Sequence, residues 1–264
     1  MERGKVVLVG AGPGDPELLT MKAAKALRQA DVVLHDELVS AEILALIPAR
    51  AEVINVGKRC GKKSTPQDEI NRLLIQNALL GLQVVRLKGG DPFIFGRGGE
   101  ELGALRQAGI EVEIVPGITA ALGAAASVQI PLTHRELSSS LILVTGSSRN
   151  SDHIANWPEH LPSNATVVVY MPGHDFTAVR ARLLLSGIAP ATPCAIISGA
   201  TSESEHVYIT NVLDLSAAPR LAAPKLLVVG EVVRLAKLDA VKQYGLQFLT
   251  PPSEVSPDTG ENAK

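Results

Sequence analysis

The sequence has little cysteine. Cys60 and Cys194 are the only two, and no CxxC pair occurs. That excludes a disulfide framework and a zinc knuckle, and a reduced, cytoplasmic setting is expected. No run of apolar residues approaches the roughly 18 that a membrane helix needs, so no membrane partner is expected. A basic region followed by an apolar stretch is missing from the N-terminus, since Lys5 leads directly into a strand-like run. No signal peptide is therefore expected. An excess of one charge is missing too. A net charge of -2 points away from nucleic acid or an anionic membrane as the main partner. The histidines at His134, His153, His160, His174 and His206 show no metal-ligand spacing. They are read as surface or loop residues, and no metal is expected. Asn164-Ala165-Thr166 matches a glycosylation sequon, which in a cytosolic chain is coincidence. No internal repeat is visible.

What is present is enough apolar material for two modest cores: 264 residues, 46% hydrophobic. Lys5 to Gly10 (KVVLVG) is a continuous β-branched run, the pattern of a strand buried on both faces. Further strands are expected at Asp31 to His35, Glu52 to Val56, Val84 to Leu87 and Glu111 to Val115. Helical patterns lie between them: a short one at Ser40 to Ile47, one begun by Pro66, and a small-residue helix from Ala120 to Ser127. Strands alternating with helices at this spacing predict a mostly parallel sheet. After a serine-rich link at Ser138 to Ser140 the pattern changes. Strands are expected at Leu141 to Thr145, Ala165 to Tyr170, Cys194 to Ser198, His206 to Thr210 and Lys225 to Gly230, with a helix from Asp175 to Leu185. The reading is an α/β chain of two α/β domains, residues 1–135 and 136–250, the second richer in strand. A tail over 251–264, rich in Pro, Ser, Asp and Gly, is expected to be mobile.

The chain is organised around Val84 to Glu101, VVRLKGGDPFIFGRGGEE. An apolar strand stops at Gly89-Gly90-Asp91-Pro92, and a second glycine cluster follows before Glu100-Glu101 opens a helix. Glycine at a strand end lets a ligand approach the backbone and lets φ turn positive. In open α/β sheets, ligands lie outside the carboxyl ends of the strands. Gly89, Gly90 and Asp91 therefore stand where a small molecule would bind.

A second glycine-rich turn, Gly10-Ala11-Gly12-Pro13-Gly14-Asp15-Pro16, looks like a dinucleotide fingerprint but departs from it. The last position of G-x-G-x-x-G falls on Asp15, where close helix packing needs Gly or Ala, and an acid there repels a pyrophosphate. A rigid loop offering carbonyls fits better. Asp15 or Thr20 is expected to cap the next helix.

The stretches VGAGPGDPELLT (Val9 to Thr20), VVLHDELVS (Val32 to Ser40), VGKRCGKKS (Val56 to Ser64), VRLKGGDPFIFGRGGEE (Val85 to Glu101), VPGITAAL (Val115 to Leu122) and IPLTHR (Ile130 to Arg135) together resemble the tetrapyrrole methylase family. They cover most of the first half in the family's order. VVVYMPG (Val167 to Gly173) and VVGEVV (Val228 to Val233) match more loosely. Within the family, the resemblance is to members that methylate uroporphyrinogen III at two ring carbons in succession, giving precorrin-2.

The resemblance implies S-adenosylmethionine (SAM) as methyl donor, with S-adenosylhomocysteine as product, in a cleft between two α/β domains of a homodimer. It places donor contacts on Pro13, Gly89, Gly90, Asp91, Ile94, Thr119, Ala120, Met171 and Ala200, with Phe95 as a neighbour. It makes Asp36 the proton acceptor and Lys58 the proton donor. It assigns Arg97 and Arg135 to the substrate carboxylates, and gives Glu100 the macrocycle or the orientation of Arg97. Arg59, Lys62 and Lys63 would add to a basic field. The chain departs from the family at His35, where tyrosine is common, and at Ser147, where histidine is often found. Met171 is followed by an unusual Pro172.

Other readings are a later precorrin methylase, a diphthine synthase, a nicotinamide-binding oxidoreductase and a non-catalytic tetrapyrrole carrier. Arg97 with Glu100 and Thr133-His134-Arg135 argue against the first two, and Asp15 argues against the third. The length leaves no room for an added dehydrogenase and chelatase domain, so a single activity is expected.

Overall fold

A computed structural model describes residues 4–57, 65–146, 157–236 and 243–244. Lys58, Arg59, Lys62, Lys63, Ser147, His153 and the 251–264 tail fall outside these residues.

The first half builds a five-stranded sheet from β1 (Lys5–Gly10), β2 (Val32–His35), β3 (Glu52–Asn55), β4 (Val84–Lys88) and β5 (Glu111–Val115), in the order β3-β2-β4-β1-β5. Each pairing is parallel, so every strand delivers its carboxyl end to the same edge. The β-branched run of β1 is buried on both faces because helices cover both. Val7 and Val9 meet α1 (Met21–Gln29) through Ala23 and Leu27. Val6 and Leu8 meet α3 (Gln67–Leu79) through Ile70, Leu74 and Ala78, and α4 (Gly98–Gln107) through Leu105. Burying such side chains contributes about 1.5–3 kcal/mol each.

Local rules set the helix ends. Asp15 and Thr20 are both caps, on different elements. Asp15 Oδ1 accepts the Glu17 amide over a short 3-10 turn, and Thr20 Oγ1 accepts the Ala23 amide at the start of α1. The helix expected over Ser40 to Ile47 is shorter, α2 (Ala41–Leu44). Ser40 caps it, and the chain then tightens through Leu46 N–H to Ile43 O and Ile47 N–H to Leu44 O ahead of Pro48. Pro66 precedes the first residue of α3 instead of occupying it. The helix that closes the central stretch begins at Gly98, two residues ahead of Glu100.

The second half forms a six-stranded mixed sheet from β6 (Ser140–Thr145), β7 (Ala165–Tyr170), β8 (Pro193–Ser198), β9 (His206–Asn211), β10 (Lys225–Val229) and β11 (Gln243–Tyr244), ordered β11-β9-β8-β10-β7-β6. β6 and β7 run parallel, whereas β10 is antiparallel to both β7 and β8. The two-residue β11 has no counterpart in the sequence reading. One face of this sheet packs on α6 (Thr177–Leu185) and Trp157. The other face takes α5 (Ala120–Ser127), whose Ala121, Ala124 and Ala125 share a core with Val168, Ile197 and Val228. Small side chains on α5 let helix and sheet approach closely. The helix that follows the last strand of the first sheet is thereby fastened to the second.

Candidate active site

The loops at the carboxyl edge of the first sheet lock together through backbone. Gly12 and Gly90 exchange hydrogen bonds, Gly90 N–H to Gly12 O at 2.7 Å and Gly12 N–H to Gly90 O at 3.1 Å. A Cβ added at Gly117 would stand 2.2 Å from the Gly90 carbonyl oxygen, and one at Gly10 would stand 2.6 Å from it. Those two glycines therefore serve backbone against backbone, because no side chain fits between the loops after β1, β4 and β5. Asp91 reinforces the junction. Its carboxylate accepts the Phe93 amide at 2.8 Å and the Gly117 amide at 3.1 Å. Pro13 lies against α5 at Gly123, and the Asp15 amide donates to Thr201 Oγ1 at 3.3 Å, reaching the second half of the chain.

Tyr170, the last residue of β7, gathers much of the expected donor site. Its hydroxyl lies 2.7 Å from Thr119 Oγ1 and accepts the Ala121 amide at 3.1 Å. Its ring stands 4.9 Å from that of Phe95, tilted by 53°, a favourable aromatic geometry. Ile94, Ala120 and Ala200 pack on the same apolar cluster as Tyr170. Burial raises the Tyr170 phenol above its ordinary range.

Backbone strain collects here. Phe95, Arg97, Met171 and Thr201 adopt left-handed φ values of 52°, 59°, 48° and 64°. For residues with a Cβ each costs about 1–3 kcal/mol and persists only where surroundings enforce it. Met171, half-exposed, directly follows Tyr170. Thr201 follows Ala200 and is held by its amide on Glu205 Oε2 at 2.8 Å.

Arg97 and Glu100 form a forked pair, Nε to Oε1 at 2.9 Å and Nη2 to Oε2 at 2.8 Å, with both side chains substantially exposed. Its hydrogen bonds to the Glu100 carboxylate hold the Arg97 guanidinium above its ordinary pKa. Glu100 is thus in contact with Arg97, one of its two expected partners. Arg135 stands apart from these contacts, exposed in a turn closed by the His134–Ser138 bridge.

Asp36 follows β2 at the same edge and meets charges absent from the sequence reading. Arg86 Nη2 donates to Asp36 Oδ1, and Lys88 Nζ lies 3.8 Å from Asp36 Oδ2. Behind them, Arg86 Nε and Lys88 Nζ both reach Glu101 Oε1, at 3.0 and 3.1 Å. Arg86, Lys88 and Glu101 are essentially fully buried, while the Asp36 side chain remains 31% exposed. Burial works against the Arg86 charge, yet Asp36 and Glu101 outweigh it and raise its pKa. Burial and the Arg86 charge lower that of Lys88. The sequence signal was present: a strand buried on both faces carries two basic residues two positions apart, and such charges need partners. Tyr170 gave a comparable signal, a phenol closing an otherwise apolar strand.

The tetrapyrrole (corrin/porphyrin) methylase family model matches residues 5–216. Among curated relatives, a siroheme synthase from Photorhabdus laumondii is 49% identical over 234 residues, covering 88% of this chain and 50% of the relative. Another from Baumannia cicadellinicola is 50% identical over 235 residues, covering 88% and 51%. The chain thus spans about half the length of the curated relatives it matches. Among solved structures, a uroporphyrin-III-C-methyltransferase from Thermus thermophilus superimposes with TM-score 0.75 at 44% identity, over 89% of this chain and 95% of that one. The Thermus enzyme complexed with S-adenyl homocysteine gives TM-score 0.76 at 39% identity, over 88% and 100%. With a family model that takes in the whole first sheet and most of the second, and relatives near half identity, this chain belongs to the tetrapyrrole methylases.

Proposed function

We propose that the protein is an SAM-dependent C-methyltransferase that methylates uroporphyrinogen III at two ring carbons, forming precorrin-2 by way of precorrin-1. The observation that carries this reading is the contact of Thr119 and Phe95 with Tyr170, in an apolar cluster on which Ile94, Ala120 and Ala200 also pack, beside the interlocked Gly12 and Gly90 loops. The residues fit the donor. Small side chains and exposed backbone admit a flat nucleoside, and the Phe95 and Tyr170 rings supply an apolar, polarisable wall. The siroheme synthase name of the curated relatives and the S-adenyl homocysteine complex of the Thermus enzyme agree with it.

SAM supplies an electrophilic methyl. The protein's share is to hold a porphyrinogen carbon in line with that methyl and to accept the proton the ring then loses. Alignment alone supplies about 7–11 kcal/mol of such a barrier. Asp36, paired with Arg86, is the proton acceptor, and Lys58 the donor. Pro13, Gly89, Gly90, Asp91 and Met171 complete the donor site. Asp91 serves as the clasp that fixes the loop, with carboxylate lone pairs remaining for a cationic group of the donor. Arg97, steadied by Glu100, and Arg135 hold substrate carboxylates. A guanidinium fork on a carboxylate contributes about 1.5–3 kcal/mol. Residues 1–135 and 136–250 are the two domains that flank the site, and the working form is a cytoplasmic homodimer. No helix among the described residues is long and apolar enough to cross a membrane.

Purified protein, uroporphyrinogen III and methyl-labelled SAM are combined without oxygen. Two labelled methyl groups on ring carbons are expected. Label on nitrogen or on protein, or no uptake of S-adenosylhomocysteine by folded protein in calorimetry, refutes the reading.

A further inference from the structure

A chain that buries three charged side chains together has a use for them. Replacing such a group by apolar residues is often neutral or stabilising, so stability alone is a weak reason to keep one. Here the buried group touches a single half-exposed carboxylate, Asp36. Arg86 and Lys88 stand on the same face of β4, two residues apart, and both point at the first turn of α4. Glu101 Oε1 takes three donors, Arg86 Nε, Lys88 Nζ and Gln67 Nε2, the last at 3.2 Å from α3. Glu101 Oε2 is buried with no hydrogen-bond partner among the described residues. One carboxylate oxygen thus gathers the two cations that also reach Asp36.

We propose that Glu101 and Lys88 are positioning residues that act through Asp36: Glu101 anchors Arg86 and Lys88 so that their contacts with Asp36 fix its carboxylate in direction. This rests on Asp36 being the proton acceptor. The charged groups facing Asp36 among the described residues are Arg86 and Lys88 from β4, with Glu101 from α4 behind them. Neighbouring titratable groups are turned elsewhere. The His35 ring nitrogen lies 2.9 Å from the Asp36 carbonyl, and the Glu37 carboxylate accepts from Asn55 Nδ2 at 2.9 Å. With two cations and two anions the group balances when all are ionised, and removing either member of the arm changes the field at Asp36 with opposite sign.

That sign is the test. Methyl transfer to uroporphyrinogen III is followed across pH in the full chain for wild type and for K88M, K88R, E101Q and D36N, with S-adenosylhomocysteine affinity and thermal melting measured beside it. Loss of the Lys88 cation takes positive charge away from the site, so the acid limb of the K88M rate profile moves up by about one pH unit. Loss of the Glu101 anion leaves the cations uncompensated, so the E101Q limb moves down, and its kcat falls about tenfold or more through lost orientation. K88R keeps the charge and restores the wild-type limb. All variants bind S-adenosylhomocysteine as wild type does, and in a D36N background neither substitution alters the rate further. Limbs that move together, or stay still while D36N is inactive, overturn the positioning role and leave Asp36 as acceptor. A D36N protein with wild-type rate overturns the assignment of Asp36 itself. Should E101Q fail to fold, the contrast between K88M and K88R decides.

Discussion

Tyr170 and Thr119 are 51 residues apart in sequence, yet their side-chain oxygens lie 2.7 Å apart. That hydrogen bond ties the end of a strand in the second sheet to the N-terminus of α5, at the wall of the proposed donor site. Tyr170→Phe keeps the ring and removes both hydroxyl contacts. The expected result is a loss of about 0.5–1.5 kcal/mol for each hydrogen bond. It should be visible as weaker S-adenosylhomocysteine binding in calorimetry, with secondary structure by circular dichroism unchanged.

The same phenol provides a pH signature. Its folded pKa lies above its unfolded value because burial disfavours phenolate. The unfolded state therefore sheds its proton first, and the native state binds more protons in the window between the two values. The associated stability is complete below about pH 10 and is lost as pH rises through the folded pKa. Tyr170 should titrate late in ultraviolet absorbance, and Tyr170→Phe should remove that late component.

Arg97→Ala separates the two ligands. With the guanidinium gone, uroporphyrinogen III should bind about 10- to 150-fold more weakly, the equivalent of about 1.5–3 kcal/mol. S-adenosylhomocysteine affinity should hardly move. Equal losses for both ligands would place Arg97 elsewhere. Since the Arg97–Glu100 pair is largely exposed, thermal stability should change little.

Gly117→Ala tests the junction of the loops. Its Cβ would lie 2.2 Å from the Gly90 carbonyl oxygen and 2.7 Å from Gly10 Cα. Both are backbone atoms, so three loops have to part. A destabilisation of about 1–3 kcal/mol or more is expected, along with loss of donor binding out of proportion to the fall in melting temperature. Gly103→Ala, with open space around the added methyl, is the matched control and should be neutral or slightly stabilising.

Much of this architecture was legible in the residues. β1, β5, β7 and α5 fall on the runs from which they were read, because each is a short apolar block closed by Gly, Pro or polar residues. Lost detail came from contacts between distant parts of the chain. The Val84 to Leu87 run was read for its valines and leucine, and the intervening Arg86 was given no role. Its partners Asp36 and Glu101 are 50 and 15 residues away, too far for any local pattern to pair them. Ser40 to Ile47 read as one helix since periodicity does not register that Pro48 tightens the preceding turn. Gly10 and Gly117 are sites of backbone crossing, a role that no local pattern carries because it needs the third loop in place.

The attachment of α5 bears on how the chain comes apart. A fragment severed near Arg135 would keep α5 but lose β7, β8 and β10, leaving Ala121, Ala124 and Ala125 uncovered by Val168, Ile197 and Val228. Such a piece would present a sticky, side-chain-poor helix to its neighbours. That piece should accordingly self-associate in size-exclusion chromatography, and the second sheet, with α5 gone from one face, should melt at a lower temperature than in the full chain.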